Sequence, residues 1–182
     1  MPPRETLLPP RLGLIIAAIG LAVVFRLIPH PPNFAPIAAI GLFGGAYLAN
    51  RWMALAIPLA ALFLSDLVLG LHSGMWAVYA AMAVSVLLGG WLRSNRAPHR
   101  VVGAALAGSL VFFALTNLAV WLMDGMYPMT LGGLAACYMA ALPFLQNTVV
   151  GDLVFTVALF GGFALLERRF PVLRAEPRVA AA

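Results

Sequence analysis

Long apolar runs alternate with short polar turns along almost the whole chain. A helix that crosses a bilayer needs about 20 predominantly apolar residues, and most of these runs approach that length. The pattern therefore predicts an all-α, polytopic membrane protein in which residues 1–182 form a single integral membrane domain. The six predicted transmembrane helices cover residues 12–28, 35–48, 52–71, 75–92, 101–123 and 146–166.

Proline and threonine mark the two least regular parts of this pattern. Four prolines lie between Pro29 and Pro36, where they exclude a helix and favour an extended loop. After the fifth helix, Thr130 is a candidate N-cap for a short helix over residues 131–141, which we expect to lie in the membrane interface. Pro143 should end that interfacial helix before the sixth span begins.

The composition excludes several other classes of protein. Hydrophobic residues make up 63% of the 182 residues and charged residues only 9%, whereas a soluble domain has about 25% charged residues. Intrinsic disorder is excluded as well, because it requires low hydrophobicity and high charge. Cys137 is the only cysteine, so no disulfide can form within the chain.

The basic residues define the expected orientation. All 11 are arginines, and with six spans ten of them fall on the side that holds both termini, leaving only Arg26 on the other side. Because short loops rich in arginine stay in the cytoplasm, both termini are predicted to be cytoplasmic. The net charge of +5 is explained by these topology signals, so we expect the lipid bilayer and no nucleic acid as a partner.

The strongly polar side chains gather in the outer halves of the predicted helices and in the outer loops. Such residues are costly inside a membrane and usually mark a functional path or site. We therefore predict an outward-facing binding cup with apolar walls and a few polar groups. Its predicted substrate-binding residues are Arg26, His30, Asn33, Asp66, His72, Trp76, Tyr79, Asn117, Trp121, Tyr127, Asn147 and Asp152.

A structural interpretation of the same residues stays open. Arg26 has two candidate counter-ions, Asp66 and Asp152, and these three could form an ion-pair network that only holds helices together. Trp76 and Trp121 could likewise belong to the aromatic belt that many membrane proteins place at the bilayer interface.

The sequence offers no arrangement for catalysis or for a resident metal. A serine hydrolase needs serine and histidine side by side, but Ser109 is expected in the inner half of the fifth helix, whereas His30 and His72 lie in outer loops. The metalloprotease motif of two histidines four residues apart is absent. We therefore predict no enzyme activity, no catalytic residue, no metal and no cofactor.

Small residues on the first helix form a candidate contact surface. Ala18 and Ala22 are four residues apart, a spacing that lets two membrane helices approach closely. Gly103 and Ala107 repeat this spacing in the fifth helix. Pairs of this kind also serve internal packing.

Several short motifs together carry a family resemblance. They are the stretch from Arg26 to Pro36, Ser65-Asp66-Leu67 with Gly70-Leu71-His72, Thr116-Asn117 followed by Val120-Trp121, and Asn147-Thr148 before Gly151-Asp152. In these motifs the chain resembles a family of small bacterial membrane proteins. That family is in turn similar to the substrate-binding subunits, or S components, of energy-coupling-factor (ECF) vitamin transporters. The resemblance covers nearly the whole chain.

This resemblance implies a function and partners. An S component has six helices, both termini inside, and an outward cup that captures a vitamin or vitamin-like molecule for uptake. The positions of Ala18 and Ala22 match the face that meets an ECF coupling subunit. Partner ATPases would supply the energy, because this chain has no phosphate-binding loop. The expected location is the bacterial cytoplasmic (inner) membrane.

Among S components, the solitary cobalamin-type subunit resembles the chain most closely in length and loop sequence, which makes a cobalamin one candidate ligand. Members of that type bind cobalt through a cysteine shortly after the third helix, where this chain has Tyr79 and Ala80. The cysteine here is Cys137, on another loop, and this departure argues against cobalt ligation by the same route. A structural or accessory membrane protein without a small ligand is the alternative function.

Overall fold

The computed structural model describes residues 9–174, and within them the backbone is all-α, with six main helices and no strand. The predicted fold class is confirmed in this respect. A 3₁₀ turn at Phe25–Leu27 follows the first helix, and another at Pro171–Leu173 follows the last. The helices are α1 Pro10–Val24, α2 Ile37–Tyr47, α3 Arg51–Leu69, α4 Met75–Trp91, α5 Pro98–Met123 and α6 Leu131–Arg169.

Four of these helices are long and apolar enough to cross a membrane. α1 with its 3₁₀ turn has 18 residues, α3 has 19, α5 has 26 and α6 has 39. Each contains an 18-residue stretch with a mean hydropathy from 1.9 to 2.1. These lengths and this composition are those of a multi-pass membrane protein. α4 has 17 residues, and α2 has only 11. At about 1.5 Å per residue, α2 is about 16 Å long and cannot cross a hydrocarbon core of about 30 Å.

α2 is the centre of the bundle. All 11 of its residues are buried, and it contacts each of the other five helices, α4 most extensively. The sequence of α2 explains its complete burial, because the helix is apolar on every face. A helix without a polar face is stable where other helices cover it completely. The predicted span over residues 35–48 is therefore a short, enclosed helix.

Glycines allow α2 and α4 to cross with their backbones in contact. A Cβ atom added at Gly45 would lie 2.1 Å from the carbonyl oxygen of Val86, and one at Gly89 would lie 2.2 Å from that of Leu42. No methyl group fits at these distances. Gly41 precedes Gly45 by four residues, the small-residue spacing that permits such close crossings in membranes.

The last carbonyl groups of α2 accept hydrogen bonds from the loop between α4 and α5. Arg93 donates from Nε to the Gly45 oxygen and from Nη2 to the Leu48 oxygen, both at 2.8 Å. Arg96 Nη2 donates to the Ala46 oxygen at 2.7 Å. A helix leaves its last four carbonyls without internal partners, and its negative end favours cations. These two arginines therefore cap α2 at its C-terminal end.

The structure corrects the prediction of a separate interfacial helix. Residues 131–141 form the first part of α6, which continues without interruption to Arg169 and includes a π-helical turn at Val157–Gly161. Pro143 lies inside this helix and does not end it. The sixth predicted span, 146–166, is thus the second part of a much longer helix.

Packing against α5 explains why α6 is continuous. Tyr138 donates from its hydroxyl to the Ala114 oxygen at 2.6 Å, and the Cys137 sulfur lies 3.4 Å from the Asn117 oxygen. These contacts attach the first part of α6 to α5. The predicted cap at the start of the helix is confirmed, since Thr130 Oγ1 accepts a hydrogen bond from the Gly133 amide at 3.1 Å.

We predict that Gly45→Ala disrupts the crossing of α2 and α4. The new methyl group would overlap the Val86 carbonyl oxygen, and overpacking of this kind costs about 1–3 kcal/mol or more. The thermal unfolding midpoint of the purified protein in detergent measures the loss.

Gly103→Ala is the matched control, because a Cβ atom there would meet no other atom within 4 Å and alanine is the better helix former. Its midpoint should stay the same or rise slightly. An unchanged midpoint for Gly45→Ala would contradict the backbone contact between the two helices.

Candidate functional site

A polar cavity of about 210 Å³ opens at the end of the bundle opposite the arginine-capped end of α2. It lies at the C-terminal ends of α1 and α3 and the N-terminal end of α2, where α4, α5 and α6 complete its walls. Four of the predicted site residues line it, and they are Arg26, His30, Asn33 and Asp152. Aliphatic and aromatic side chains such as Val78 and Phe112 make up the remaining wall.

A hydrogen-bond network from α3 and α4 holds Arg26 at one wall of the cavity. Its Nη2 donates to Asp66 Oδ1 at 2.9 Å, and its Nη1 donates to the Ser65 hydroxyl. Tyr79 donates to the second oxygen of Asp66 at 2.8 Å. The side chains of Arg26 and Asp66 are only 11% and 4% exposed, so the ion pair is buried. Asp66 is therefore the actual counter-ion of Arg26.

The local sequence explains how this pair forms. The α-helix of α1 gives way to the 3₁₀ turn at Phe25–Leu27 shortly before Pro29, which places Arg26 at the end of the bundle. Asp66 lies in the last turn of α3, which ends at Gly70 with a φ of 103°. Glycine is the residue that readily adopts this backbone conformation.

Asp152 has a different role from the predicted counter-ion. Its Oδ1 accepts hydrogen bonds from the Ala38 amide at 3.1 Å and the Ala39 amide at 3.3 Å, and its Oδ2 accepts one from the Ser109 hydroxyl at 2.8 Å. Asp152 is 1% exposed. It caps the positive, N-terminal end of α2 from another helix, since Pro36, which precedes α2, provides no side-chain cap.

The bond between Ser109 and Asp152 also corrects their expected depths. Ser109 was expected in the inner half of the membrane and Asp152 in the outer half. They meet beside the first turn of α2. Because α2 is short, its N-terminus lies within the bundle, and the cavity reaches further inward than the sequence predicts.

The proline-rich loop after α1 covers the cavity. His30 Nδ1 lies 2.6 Å from the Ile28 carbonyl oxygen. Since a carbonyl oxygen only accepts, Nδ1 carries the proton of this hydrogen bond, and Nε2 is the ring nitrogen left for other partners. Asn33 has a φ of 62°, a left-handed conformation that asparagine tolerates better than most residues. Asn147 donates to the Pro32 oxygen at 3.0 Å and so ties the loop to α6.

Two predicted site residues line a separate cleft. Asn117 and Tyr127 lie with Cys137 around a volume of about 200 Å³ between α5 and the first part of α6. Asn117 also donates to the Phe113 oxygen one turn earlier in its own helix. This cleft shares no lining residue with the cavity beside Arg26.

Six predicted residues line neither volume. Asp66, Tyr79 and Asn147 contact residues around the cavity, as described above, whereas His72, Trp76 and Trp121 do not. Trp76 donates from Nε1 toward the Met123 sulfur at 2.9 Å, and Trp121 donates to the Pro128 oxygen at 2.9 Å. His72 is exposed in the loop after α3. The single predicted cup is therefore divided, and the polar residues nearest α2 form its most enclosed part.

Sequence reasoning did not assign three hydroxyl groups that belong to this region. Ser65 orients Arg26, Ser109 holds Asp152, and Thr148 lines the cavity. The sequence positions of two of them could have indicated a role in the site, since Ser65 is adjacent to Asp66 and Thr148 precedes Asp152 by one helical turn.

The cavity lining offers several hydrogen-bonding groups. A guanidinium, an imidazole, a carboxamide and a hydroxyl line this small volume and can hydrogen-bond to a polar solute, and the Asp152 carboxylate lines it as well. Within residues 9–174, no three His, Cys, Asp or Glu side chains come close enough to hold a metal ion.

The fold and the cavity define the class as a multi-pass helical membrane protein with a polar cavity at one end of its bundle. The chain belongs to DUF6580, a family of unknown function whose sequence model matches residues 7–173. No curated protein and no solved structure matches the chain.

Asp152→Ala should destabilise the protein much more than Asp152→Asn. Alanine leaves the Ala38 and Ala39 amides unpaired, and each buried unpaired group costs about 1–3 kcal/mol. The Ser109 hydroxyl would keep the Ala105 oxygen as its partner. Asparagine keeps one oxygen for the amides and can donate to Ser109. Thermal unfolding in detergent compares the two variants, and equal losses would show that Asp152 does not cap α2.

Arg26 and Asp66 should be energetically coupled. Removing one partner of a buried ion pair costs about 3–5 kcal/mol, because the other charge is left without compensation. Arg26→Leu and Asp66→Leu should therefore each lower the unfolding midpoint strongly. The double variant should lose less than the sum of the single losses, which a double-mutant cycle measures. Strictly additive losses would contradict the pair.

Proposed function

We propose that this protein is the substrate-binding subunit of a membrane transporter and captures a small polar molecule in the cavity beside Arg26, in the manner of an ECF S component. The observation that carries this proposal is a polar cavity set into an otherwise apolar bundle, at the end opposite the arginine-rich loops. Apolar walls with a few fixed polar groups are typical of small-molecule sites.

Arg26 is the anchor for the solute. Its bonds to Asp66 and Ser65, with a longer one to the Leu62 oxygen at 3.4 Å, use three of the five guanidinium N–H donors. The Nε–H and one Nη2–H are left for a solute. A carboxylate or carbonyl oxygen is the natural acceptor, since charge-assisted bonds of this kind are strong and directional.

The volume of the cavity limits the solute that this conformation accepts. Ligand pockets usually enclose about 300–1,000 Å³, and this one encloses about 210 Å³. A small carboxylic acid fits within it. A cobalamin or another large vitamin would need the proline-rich loop to move away from α6, and the bond from Asn147 to Pro32 is the contact that this opening would break.

The proposal also assigns an orientation. Arginine-rich loops stay in the cytoplasm, so both termini would lie inside a bacterial inner membrane and the cavity would face outward. Ala18 and Ala22 line an apolar groove of about 400 Å³ between α1 and the second part of α6. This groove is the surface available to an ECF coupling subunit, whose ATPases would drive transport while this chain catalyses no reaction.

A structural or accessory membrane protein is the second candidate. The observation that favours it is the complete engagement of both buried carboxylates by protein groups. Asp66 accepts bonds from Arg26 and Tyr79, and Asp152 accepts three bonds at the end of α2. In that case the polar groups hold helices together and the cavity binds no solute.

Filling the cavity distinguishes these two functions. Val78 lies on the cavity wall, so Val78→Phe should abolish solute binding. Leu87→Phe in the same helix is the control, because Leu87 is 72% exposed. Thermal unfolding in detergent is measured with a panel of water-soluble vitamins, cobalamin included, and small carboxylic acids.

The transporter proposal predicts that at least one compound raises the midpoint of the wild type and of Leu87→Phe but not of Val78→Phe. A response that survives Val78→Phe would rule out this cavity as the binding site. A wild type that responds to none of the compounds would favour the accessory role.

A further inference from the structure

We infer that the arginine-rich end of the bundle binds the phosphate group of an anionic phospholipid, at a site independent of the cavity beside Arg26. Two adjoining features carry this inference. One is a basic cavity around the C-terminal end of α2, and the other is an apolar cleft between α5 and the second part of α6. Tyr47 and Arg96 line both volumes, so the two are neighbours.

The basic cavity concentrates positive charge. It encloses about 790 Å³, and its lining contains Arg11, Arg93, Arg96 and Arg174 but, within residues 9–174, no carboxylate. Glu167 forms an ion pair with Arg11 and so balances one of the four charges. Phosphate matches the remaining charge, because the planar guanidinium binds phosphate oxygens in a bidentate geometry.

The protein fixes these arginines without using all their donors. Arg93 directs Nε, Nη1 and Nη2 at carbonyl groups around the end of α2, and Arg96 gives one bond to Ala46 while lying 4.4 Å from the centre of the Tyr47 ring. Each guanidinium carries five N–H donors. Both therefore retain donors for an anionic oxygen beside α2.

The adjoining cleft has the character of an acyl-chain site. It encloses about 410 Å³, and most of its lining is apolar, including Val102, Val157, Phe160 and Gly161. Glu167 also lines it, and the carboxylate of Glu167 is paired with Arg11. A charged group at one end of an aliphatic cleft matches a lipid, whose phosphate is joined to long hydrocarbon chains. A soluble phosphate compound would leave this cleft empty, so the geometry favours the lipid.

Thr156 adds a polar contact at the depth of the lipid ester groups. Its hydroxyl is buried, lines the cleft and has no hydrogen-bond partner among the residues that the structure describes. Thr156 precedes Phe160 by one turn, or about 6 Å, and the Phe160 ring packs 5.5 Å from the Tyr47 ring beneath Arg96. The lipid ester oxygen that follows the phosphate toward the acyl chains would accept a hydrogen bond from the Thr156 hydroxyl.

Native mass spectrometry of the full chain tests the site. The probes are phosphatidylglycerol, phosphatidylcholine with the same acyl chains, and glycerol 3-phosphate as a soluble phosphate. We expect phosphatidylglycerol to bind in preference to phosphatidylcholine and to resist displacement by glycerol 3-phosphate. Arg174→Gln should weaken phosphatidylglycerol binding about fivefold or more. Arg169→Gln should not, because the exposed Arg169 is absent from the cavity lining.

A second pair of variants tests the cleft. Gly161 lines it, and a Cβ atom there would meet no atom within 4 Å, so Gly161→Leu fills the cleft from an unobstructed position. Gly162 is equally unobstructed but lines the groove beside α1. Gly161→Leu should lower phosphatidylglycerol binding, and Gly162→Leu should leave it unchanged.

Four results would overturn the inference. Equal binding of the two lipids would show that the site does not prefer an anionic headgroup. Equal effects of Arg174→Gln and Arg169→Gln would leave only the general attraction between arginines and anionic lipid. Displacement of phosphatidylglycerol by glycerol 3-phosphate would assign the basic cavity to a soluble phosphate compound. Unaltered lipid binding by Gly161→Leu would remove the acyl chain from the cleft.

Discussion

α2 has no polar face and is too short to cross the membrane. Its N-terminal end lies inside the bundle, and its C-terminal end lies at the basic cavity. A helix leaves four N–H groups and four carbonyls without internal partners, and such groups are costly in an apolar environment. Asp152 meets the N-terminal end, and Arg93 and Arg96 meet the C-terminal end. Their charges have the signs that the helix dipole favours. The centre of the fold thus depends on contacts between residues 45 to 114 positions apart in sequence.

The same contacts position both candidate binding sites. The cavity beside Arg26 forms around the first turn of α2, and the basic cavity forms around its last turn. Asp152 lines the first, while Arg93 and Arg96 line the second. Side chains that cap the helix are therefore already held in place by hydrogen bonds where a ligand would meet them. Such preorganisation lowers the cost of binding, because the groups need not be ordered when the ligand arrives.

Sequence reasoning succeeded where a feature depends on local pattern. The six apolar runs became six helices, and Thr130 caps α6 as expected. It failed where the outcome depends on neighbours in space. An apolar run looks the same whether it faces lipid or other helices, so the enclosure of α2 was not visible. The selection of Asp66 over Asp152 as the partner of Arg26 follows from how α2 enters the bundle. The prediction that Pro143 ends a helix was wrong, because proline is tolerated in a membrane helix that neighbouring helices support.

Hydrogen–deuterium exchange of the protein in lipid nanodiscs measures the state of α2 most directly. First-turn amides of a helix lack internal partners and normally exchange fast. If α2 is enclosed and capped by Asp152, the amides of Ala38 and Ala39 exchange as slowly as those in the middle of the same helix. Fast exchange at Ala38 and Ala39 beside a protected middle would contradict the cap, and fast exchange throughout α2 would contradict its enclosure.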